Sequence, residues 1–391
     1  MENDMDLSTV FGTYRSFEDW LKDPENPHVY CLLTMDGKKF LAKESYHVEL
    51  HQKTNAHDTF KITVNDDAID SFTGFVLENS KNMLGNEITI TYHQYGQIMQ
   101  SFTGIIGGIN NNKKGTGYGD LIITGFSPSI LLESGKDCRS FESKTLEQII
   151  KEVCEIYPTE SRVKVELPNV KQVLPYTVQY KESDYEFIQR LAKRHGEFLY
   201  YDGEQLLFGR EIQPIVKLRE GDELLGIKYA LKIGAQDFSY LAYDAETGEK
   251  IEQDSASIQA QYKTDPFQSV AENRSKPLFK KKPKMHFNQT GIIDGQAKNE
   301  LEEAVRLEKE RRASLMQITG KSIAPFLRMG SLAEFTDINK HAMETYRILE
   351  ISHYHNGGSY YNEFTGIPDV FTAPYSDEDA FPKGEEQPAR V

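Results

Sequence analysis

His353 and His355 are the side chains of this sequence best spaced to hold a metal ion, since residues i and i+2 of a strand point to one face and two imidazoles could share it. No cysteine or carboxylate stands at an obvious third-ligand spacing, so the pair reads as strand histidines making ordinary hydrogen bonds. His195 falls at the end of a helical pattern, where the helix dipole favours a cation and no active site is needed to explain it. For nucleophilic or metal-assisted chemistry the chain offers no G-x-S-x-G and no H-E-x-x-H. For phosphate binding it has no P-loop and no G-x-G-x-x-G between a strand and a helix. The stretch Asn110–Gly119 lacks the Lys-Ser/Thr of a phosphate cradle and no helical pattern follows it, so it reads as a hairpin loop. Cys31, Cys138 and Cys154, without C-x-x-C spacing, make neither a disulfide framework nor a zinc ribbon and read as small buried hydrophobes. The run Arg274–Lys284 carries six positive charges and no acid. It reads as a solvated loop, with docking onto an acidic neighbour, another copy of this chain included, as the sharper alternative. Reactive residue types are present but no constellation of them is, and the expectation is a non-enzymatic protein with no cofactor and no metal.

The elements that carry these residues are mostly strands. At 391 residues the chain exceeds one ordinary domain and suggests two or three. Hydrophobic residues make up 38% and charged ones 27%, with 21 Tyr and 21 Phe, so a folded, soluble protein with ample core material is expected. Sixty acidic residues against 45 basic give a net charge of −15, which argues against a phosphate-contacting surface and so against nucleic acid as a partner. No stretch approaches the roughly 20 apolar residues of a membrane span, and Met1–Asp6 has neither the basic nor the apolar region of a signal peptide. The chain is therefore expected to start in the cytoplasm, without an integral membrane segment.

Residues 1–27 read as a polar N-terminal arm with the only tryptophan, Trp20, and one short helix around Phe17–Leu21. Residues 28–139 turn to short runs of Val, Ile, Thr, Tyr and Phe between Gly, Asn and Asp, the texture of a β domain. Within it Asp70–Val76 and Gln100–Ile106 repeat S-F-T-G plus two apolar residues at a spacing of 30, echoed at Phe364–Ile367, which points to related hairpins. Residues 140–215 read as a small α/β unit. Thr145-Leu-Glu-Gln148 is a capping box, after which Leu146, Ile149, Ile150, Val153, Cys154 and Tyr157 fall on one helical face until Pro158. A strand at Tyr176–Tyr180 leads to a second box, Ser183-Asp-Tyr-Glu186, and a helix burying Phe187, Ile188, Leu191 and Ala192 before Gly196. Phe198–Tyr201 and Gln205–Phe208 flank the turn Asp202-Gly203.

Residues 216–376 return to β texture, with strands expected at Leu224–Ile233, Phe238–Tyr243, Gly330–Phe335, Tyr346–Tyr354 and Ser359–Phe364. A polar stretch near Glu252–Asn288 and a helix at about 297–316 interrupt them. That helix puts Leu301, Ala304, Val305 and Leu315 on one side, with Glu302–Arg306 and Glu308–Arg312 as i,i+4 pairs. Residues 377–391 read as an acidic linker. The fold class is α+β, mainly β.

Between Tyr176 and Tyr201 the chain resembles the VgrG spike proteins of type VI secretion systems, in which a strand ending in Q-Y is followed by E-S-D, a helix with F and R-L, a Gly and an aromatic strand. The matching positions are Gln179, Tyr180, Glu182, Ser183, Asp184, Phe187, Arg190, Leu191, Gly196 and Tyr200. Ser134–Phe141, Gly330–Phe335, Tyr346–His353 and Tyr361–Phe364 are similar to further segments of that family, so the likeness runs from about Val29 to Pro388. It implies two tube-like β-barrels, at 28–139 and 216–376, around an α/β insertion. It also implies a homotrimeric ring joining an inner tube to a membrane-puncturing spike for effector delivery, as the hub of a contractile phage tail does. The implied partners are the inner tube protein, baseplate proteins and spike-tip or effector proteins, and the implied route is assembly in the cytoplasm followed by expulsion without a signal peptide. The family continues into an oligosaccharide-binding-type domain and a β-helix needle where this chain reaches Gln387–Val391, so either a shortened chain or a hub with a separate spike is expected. A hub of a phage tail or of an extracellular injection particle fits the same residues. Readings of other classes are a tail-associated cell-wall hydrolase, which would need paired carboxylates in a cleft, and a carbohydrate-binding sandwich, which would expose aromatics on one sheet face.

If Ser183 serves as a helix cap, Ser183→Ala costs about 1 kcal/mol in thermal or denaturant melts. Ser183→Asp recovers most of that loss. Equal destabilisation by both replacements would refute the capping role.

Overall fold

The computed structural model describes residues 22–35, 37–40, 46–64, 81–111, 120–166, 168–210, 215–243, 247–259, 265–287, 297–339, 341–369 and 372–374. The expected helix at Phe17–Leu21, the first S-F-T-G copy, most of the Asn110–Gly119 loop and the acidic segment 377–391 lie outside the described residues. The first β-rich stretch supplies β1 (Tyr30–Met35), β2 (Lys38–Lys39), β3 (Tyr46–Lys53), β4 (Thr59–Val64), β5 (Glu87–Gln94), β6 (Gln97–Asn111) and β7 (Leu121–Phe126). The middle supplies β8 (Lys136–Lys144), α1 (Leu146–Cys154), β9 (Val163–Glu166), β10 (Leu174–Ser183), α2 (Asp184–His195), β11 (Leu199–Tyr201) and β12 (Leu206–Gly209). Then follow β13 (Ile215–Arg219), β14 (Leu224–Leu231), β15 (Ser239–Tyr243), β16 (Lys250–Asp254), α3 (Pro266–Ser275), β17 (Lys284–His286) and α4 (Ala297–Ala313). Among the described residues the last strands are β18 (Met316–Ser322), β19 (Leu332–Thr336), β20 (Ala342–His355) and β21 (Tyr360–Pro368).

The protein is mainly β, as its texture predicts, and its strands are organised around one large sheet. Thirteen strands join in the order β14-β18-β21-β20-β3-β4-β7-β6-β5-β1-β2, with β19 pairing β13 and β20. The early and late halves meet where β3 runs antiparallel to β20, in a register that sets Leu50 against His353. No pairing closes this sheet into a barrel among the described residues. Period-2 alternation turns Val48 and Leu50 of β3 and Phe60, Ile62 and Val64 of β4 inward, as the strand pleat requires. The described S-F-T-G copy lies in β6 and its F-T-G echo in β21, where Phe102 and Phe364 are both buried.

Three apolar cores result. The first gathers the inner faces of β1 and β3–β7 with helices α1 and α2, and the second gathers β18–β21 with Leu218 and Leu224. The third is small: Phe238, Tyr240 and Ala242 of the β15 region pack on Leu301 and Val305 of α4. Hairpin β11–β12 serves the first two at once, since Leu199 and Tyr201 face the first core while Phe198, Tyr200 and Leu207 face the second.

Four sequence expectations are corrected here. The polar stretch near Glu252–Asn288 contains β16 and α3, whose Asp265 cap accepts from the backbone N–H groups of Phe267 and Gln268 with Pro266 in the first turn. In α4, Arg306 pairs with Glu303 and Glu310 instead of Glu302, because the neighbours at i−3 and i+4 lie on its buried side, whereas Glu308–Arg312 forms as expected at 2.7 Å. Cys138 is exposed, because the pleat of β8 turns it away from the first core, whereas Cys31 and Cys154 are buried. The basic run is not wholly loop: Lys282 and Lys284 pair with Asp254 and Glu252 beside β16, and Lys284 begins β17.

A chain of buried polar side chains crosses the seam between β3 and β20. Gln52 donates to Asp58 at 3.0 Å, and Gln100 donates to Gln52 at 3.4 Å and to His353 Nε2 at 3.3 Å. His353 Nδ1 reaches the Tyr360 hydroxyl at 2.7 Å, Asn362 donates to that hydroxyl at 3.0 Å, and Ser322 donates to Asn362 at 2.7 Å. Because Gln100 offers its amide N–H, His353 Nε2 must accept, which puts the ring proton on Nδ1. Burial holds His353 neutral, with its pKa lowered to about 3. Asp58, wholly buried at the other end, has its pKa raised to about 8 by burial, against the lowering effect of the Gln52 and Lys53 N–H groups.

A carboxyl that is more acidic in the unfolded chain than in the native one makes stability fall as pH rises between the two pKa values. Asp58 should therefore contribute a loss of stability from about pH 4 to about pH 8, at up to about 1.4 kcal/mol per pH unit. Asp58→Asn should remove that contribution, so that its stability relative to wild type rises across this range. Urea melts at several pH values test this, and parallel curves for the two proteins would refute it.

Candidate functional site

The residues of the sequence motif converge on the junction between β10 and α2. Ser183 caps α2: its hydroxyl accepts from Glu186 N–H at 3.0 Å, while Glu186 Oε2 accepts from Ser183 N–H at 2.9 Å, the full capping box. Gly196 ends the helix in the left-handed region at φ 64°. A β-carbon there would collide with Thr372, so the position favours glycine for space as well as for backbone.

Between those ends two buried ionic groups lock the strand to the helix. Arg190 clamps Glu182 bidentately at 2.6 and 2.8 Å and donates a further bond to the Val178 carbonyl at 2.5 Å. The geometry follows from a bulge in β10 between Tyr180 and Glu182, with Lys181 at φ 52°, which lets Glu182 and Gln179 both reach the helix. Asp184 is the centre of the second group. Its carboxylate accepts from Arg139, from Gln179 at 2.8 Å and from the Tyr157 hydroxyl at 2.8 Å. Gln179 closes the network by accepting from Arg139 Nε at 3.0 Å and donating to the Glu182 carbonyl at 3.0 Å. Phe187 stacks on Phe141 of β8 with centroids 5.6 Å apart, and the Arg190 guanidinium also lies over the Phe187 ring at 5.2 Å. Leu191 fills the first core and Tyr200 the second; Tyr180 is half-buried, with the Lys181 ammonium over its ring at 5.5 Å.

The C-terminal end of α2 corrects the reading of His195. Burial, followed by the charges of Arg194, Arg311 and Arg190, pushes its pKa well below the ordinary value, so it is neutral and answers no dipole. Arg311 of α4 takes that role, donating to the carbonyls of Lys193 and Arg194 at the helix end. Beside it Glu197, nearly wholly buried, accepts from the N–H groups of Asn169 and Val170 at 2.6 and 3.1 Å, and burial raises its pKa to about 8. Sequence reasoning missed Arg139, Glu197 and Arg311 as members. Only Arg139 had an available signal, an alternating strand position opposite Gln179.

His353 and His355 do share a face of β20 as their spacing predicts, but His353 has both nitrogens engaged and His355 accepts from the Gly357 N–H. Among the described residues no group of three or more His, Cys, Asp or Glu is placed to hold a metal ion. The network around Asp184 is closed, with each acidic oxygen meeting a donor. It is suited to holding a helix on a strand. It presents no open position to a substrate.

A family model for the phage tail baseplate hub (GPD) matches residues 77–358. The chain belongs to this family. No curated protein matches the hub sequence. Among solved structures, the hub is similar to the 43 kDa tail protein of prophage MuSo2 from Shewanella oneidensis, with TM-score 0.61 and 14% identity, covering 90% of this chain and 99% of that one. A tail protein from Neisseria meningitidis MC58 matches with TM-score 0.60 and 13% identity, covering 91% of this chain and all of that one. A component of the type VI secretion system of E. coli, itself similar to T4 bacteriophage tail proteins, matches with TM-score 0.55 and 14% identity over 88% of this chain and 78% of that one. The fold is that of a VgrG-like hub. Among the described residues no helix is long and apolar enough to cross a membrane.

Breaking the buried Glu182–Arg190 pair from one side leaves an uncompensated charge, so Arg190→Met should cost about 3–5 kcal/mol in denaturant melts. Replacing both partners, Glu182→Leu with Arg190→Met, should cost clearly less. A double variant as destabilised as the sum of the singles would show that the pair is not coupled.

Proposed function

We propose that the protein is the structural hub of a contractile injection machine, a homotrimeric ring that joins the inner tube to the spike. The match of the baseplate hub family over residues 77–358 carries this reading. Three copies would set the two halves of the large sheet, 28–139 and 216–376, around one axis as tube-like barrel walls, with the α/β unit 140–215 outside them. Pairing between copies would cover strand edges that an open sheet leaves available, such as the outer edge of β14. Its partners are the inner tube protein, the baseplate and a spike tip or effector, and it acts by position, without catalysis, cofactor or nucleic acid. It is assembled inside the cell and then expelled with the spike. The tail proteins of Shewanella and Neisseria and the type VI component support the same hub body in phage-type and secretion-type machines alike.

Light scattering of the purified chain, alone and fused to a needle segment, checks the assembly. A mass of three copies, with ring-shaped particles by electron microscopy, is the expected result. A monomer at high concentration in both forms would refute the ring.

A further inference from the structure

The hairpin between β20 and β21 turns at Asn356-Gly357-Gly358-Ser359, and Asn356-Gly357 is the only Asn-Gly pair in the sequence. All four residues are exposed, while His355, which precedes them, is buried. Asn356 N–H donates to the Ser359 carbonyl at 3.1 Å, which closes the turn, with Gly357 in the left-handed region at φ 74°. Two features go beyond what a turn needs. The side-chain carbonyl oxygen of Asn356 accepts twice from Ser359, from its N–H at 3.1 Å and from its hydroxyl at 2.7 Å. The Gly357 N–H is directed at His355 Nδ1, at 3.3 Å.

We propose that this turn is a self-modification site: it promotes succinimide formation and deamidation at Asn356, with His355 as base and Ser359 as the oxyanion donor. Gly357 N attacks Cγ of Asn356 as its proton passes to His355 Nδ1, forming the N–Cγ bond. Negative charge grows on Oδ1, where Ser359 supplies two donors, as donors preset for a tetrahedral intermediate do. The Cγ–NH2 bond then breaks and ammonia leaves with the proton returned from His355. Water opens the cyclic imide at either carbonyl, leaving an aspartate or an isoaspartate, so that one water is consumed and one ammonia released. Glycine as the attacking residue has no Cβ to obstruct the approach. The exposure of the turn admits the water.

Burial lowers the His355 pKa to about 4, so its Nδ1 lone pair is available at neutral pH. The same shift makes it a weak base, which sets its contribution below the usual range of general bases. The product adds a negative charge at the hairpin tip. In the isoaspartate form it also adds a backbone atom that breaks the Asn356–Ser359 closure.

Peptide mapping by mass spectrometry, over weeks at neutral pH and body temperature, tests the site. The expected result is an amide-to-acid mass gain with isoaspartate at Asn356, faster in the folded protein than in the same chain held in urea. His355→Asn keeps an acceptor for the Gly357 N–H but removes the base, and should slow the reaction by roughly tenfold. Ser359→Ala should slow it as well. A folded protein that reacts more slowly than the unfolded chain would overturn the proposal, because the turn would then protect Asn356. So would a His355→Asn rate equal to wild type, and so would acceleration by Ser359→Ala, which would mean that Ser359 restrains the amide.

Discussion

The antiparallel pairing of β3 with β20 is the constraint on which the rest of the large sheet depends. It joins residues 301 positions apart, as the His51–Ser352 contact shows, and ties the early strands to the late ones. Loop closure over so long a span costs little more than over a short one, so the difficulty lies in register. A slip of one residue would turn Ser352 inward and His353 out. Gln100 would lose its His353 acceptor, and Tyr360 would lose the His353 contact, both in the buried interior. An apolar seam could tolerate such a slip by repacking, whereas this one leaves buried groups unsatisfied at about 1–3 kcal/mol each. The polar chain from Asp58 to Ser322 thus specifies the register that apolar alternation alone would leave looser.

The second constraint is the hairpin β11–β12, whose alternating side chains belong to different cores. Tyr200 packs directly over Gly330, where any β-carbon would enter its ring, and the buried Arg347 bridges the same region by bonding the Gly330 carbonyl at 3.2 Å and Asp369 at 3.1 Å. On the other face, Tyr201 bonds the Thr103 carbonyl at 3.1 Å and Thr103 N–H bonds the Gly203 carbonyl at 2.9 Å. An error in the placement of α2, which leads into β11, would be transmitted to both cores. The capping box and the Glu182–Arg190 clamp set that placement.

Local rules make much of this legible in the sequence. Both capping boxes, the apolar faces of α1 and α2, Gly196 as the helix stop and the Asp202-Gly203 hairpin follow from short-range chemistry, and each is observed. The helix α3 carried an equally local signal, Asp265-Pro266, but its sequence is polar and its apolar face incomplete, since Phe267 and Val270 are exposed. Periodicity therefore could not reveal it. What local rules could not supply were pairings set by tertiary placement. His195 and Arg311 show the difference: the helix end favours a cation, but burial decides that the cation comes from another helix, through its longer and permanently charged side chain. The partner of Arg306 likewise depended on which side of α4 is covered. In the motif itself, residue identities were readable and their roles at Ser183 and Gly196 were too, whereas the Asp184 network required Arg139 and Tyr157 from elsewhere in the chain.

That network also explains how a joint between strand and helix can be as exacting as a catalytic site. Asp184 needs three donors, Gln179 needs both ends of its amide engaged, and Arg139 needs acceptors for two nitrogens. Loss of any one member removes a partner from the buried Asp184 and Gln179, so each position tolerates few residue types and the tolerance is coupled between positions. Glycine at 196 and a small hydrogen-bonding side chain at 183 are fixed by backbone geometry in the same way. An active site shows comparable demands but keeps one position open for a substrate. Here every acidic oxygen of Asp184 is already met from within the chain, which makes the motif a joint between strand and helix.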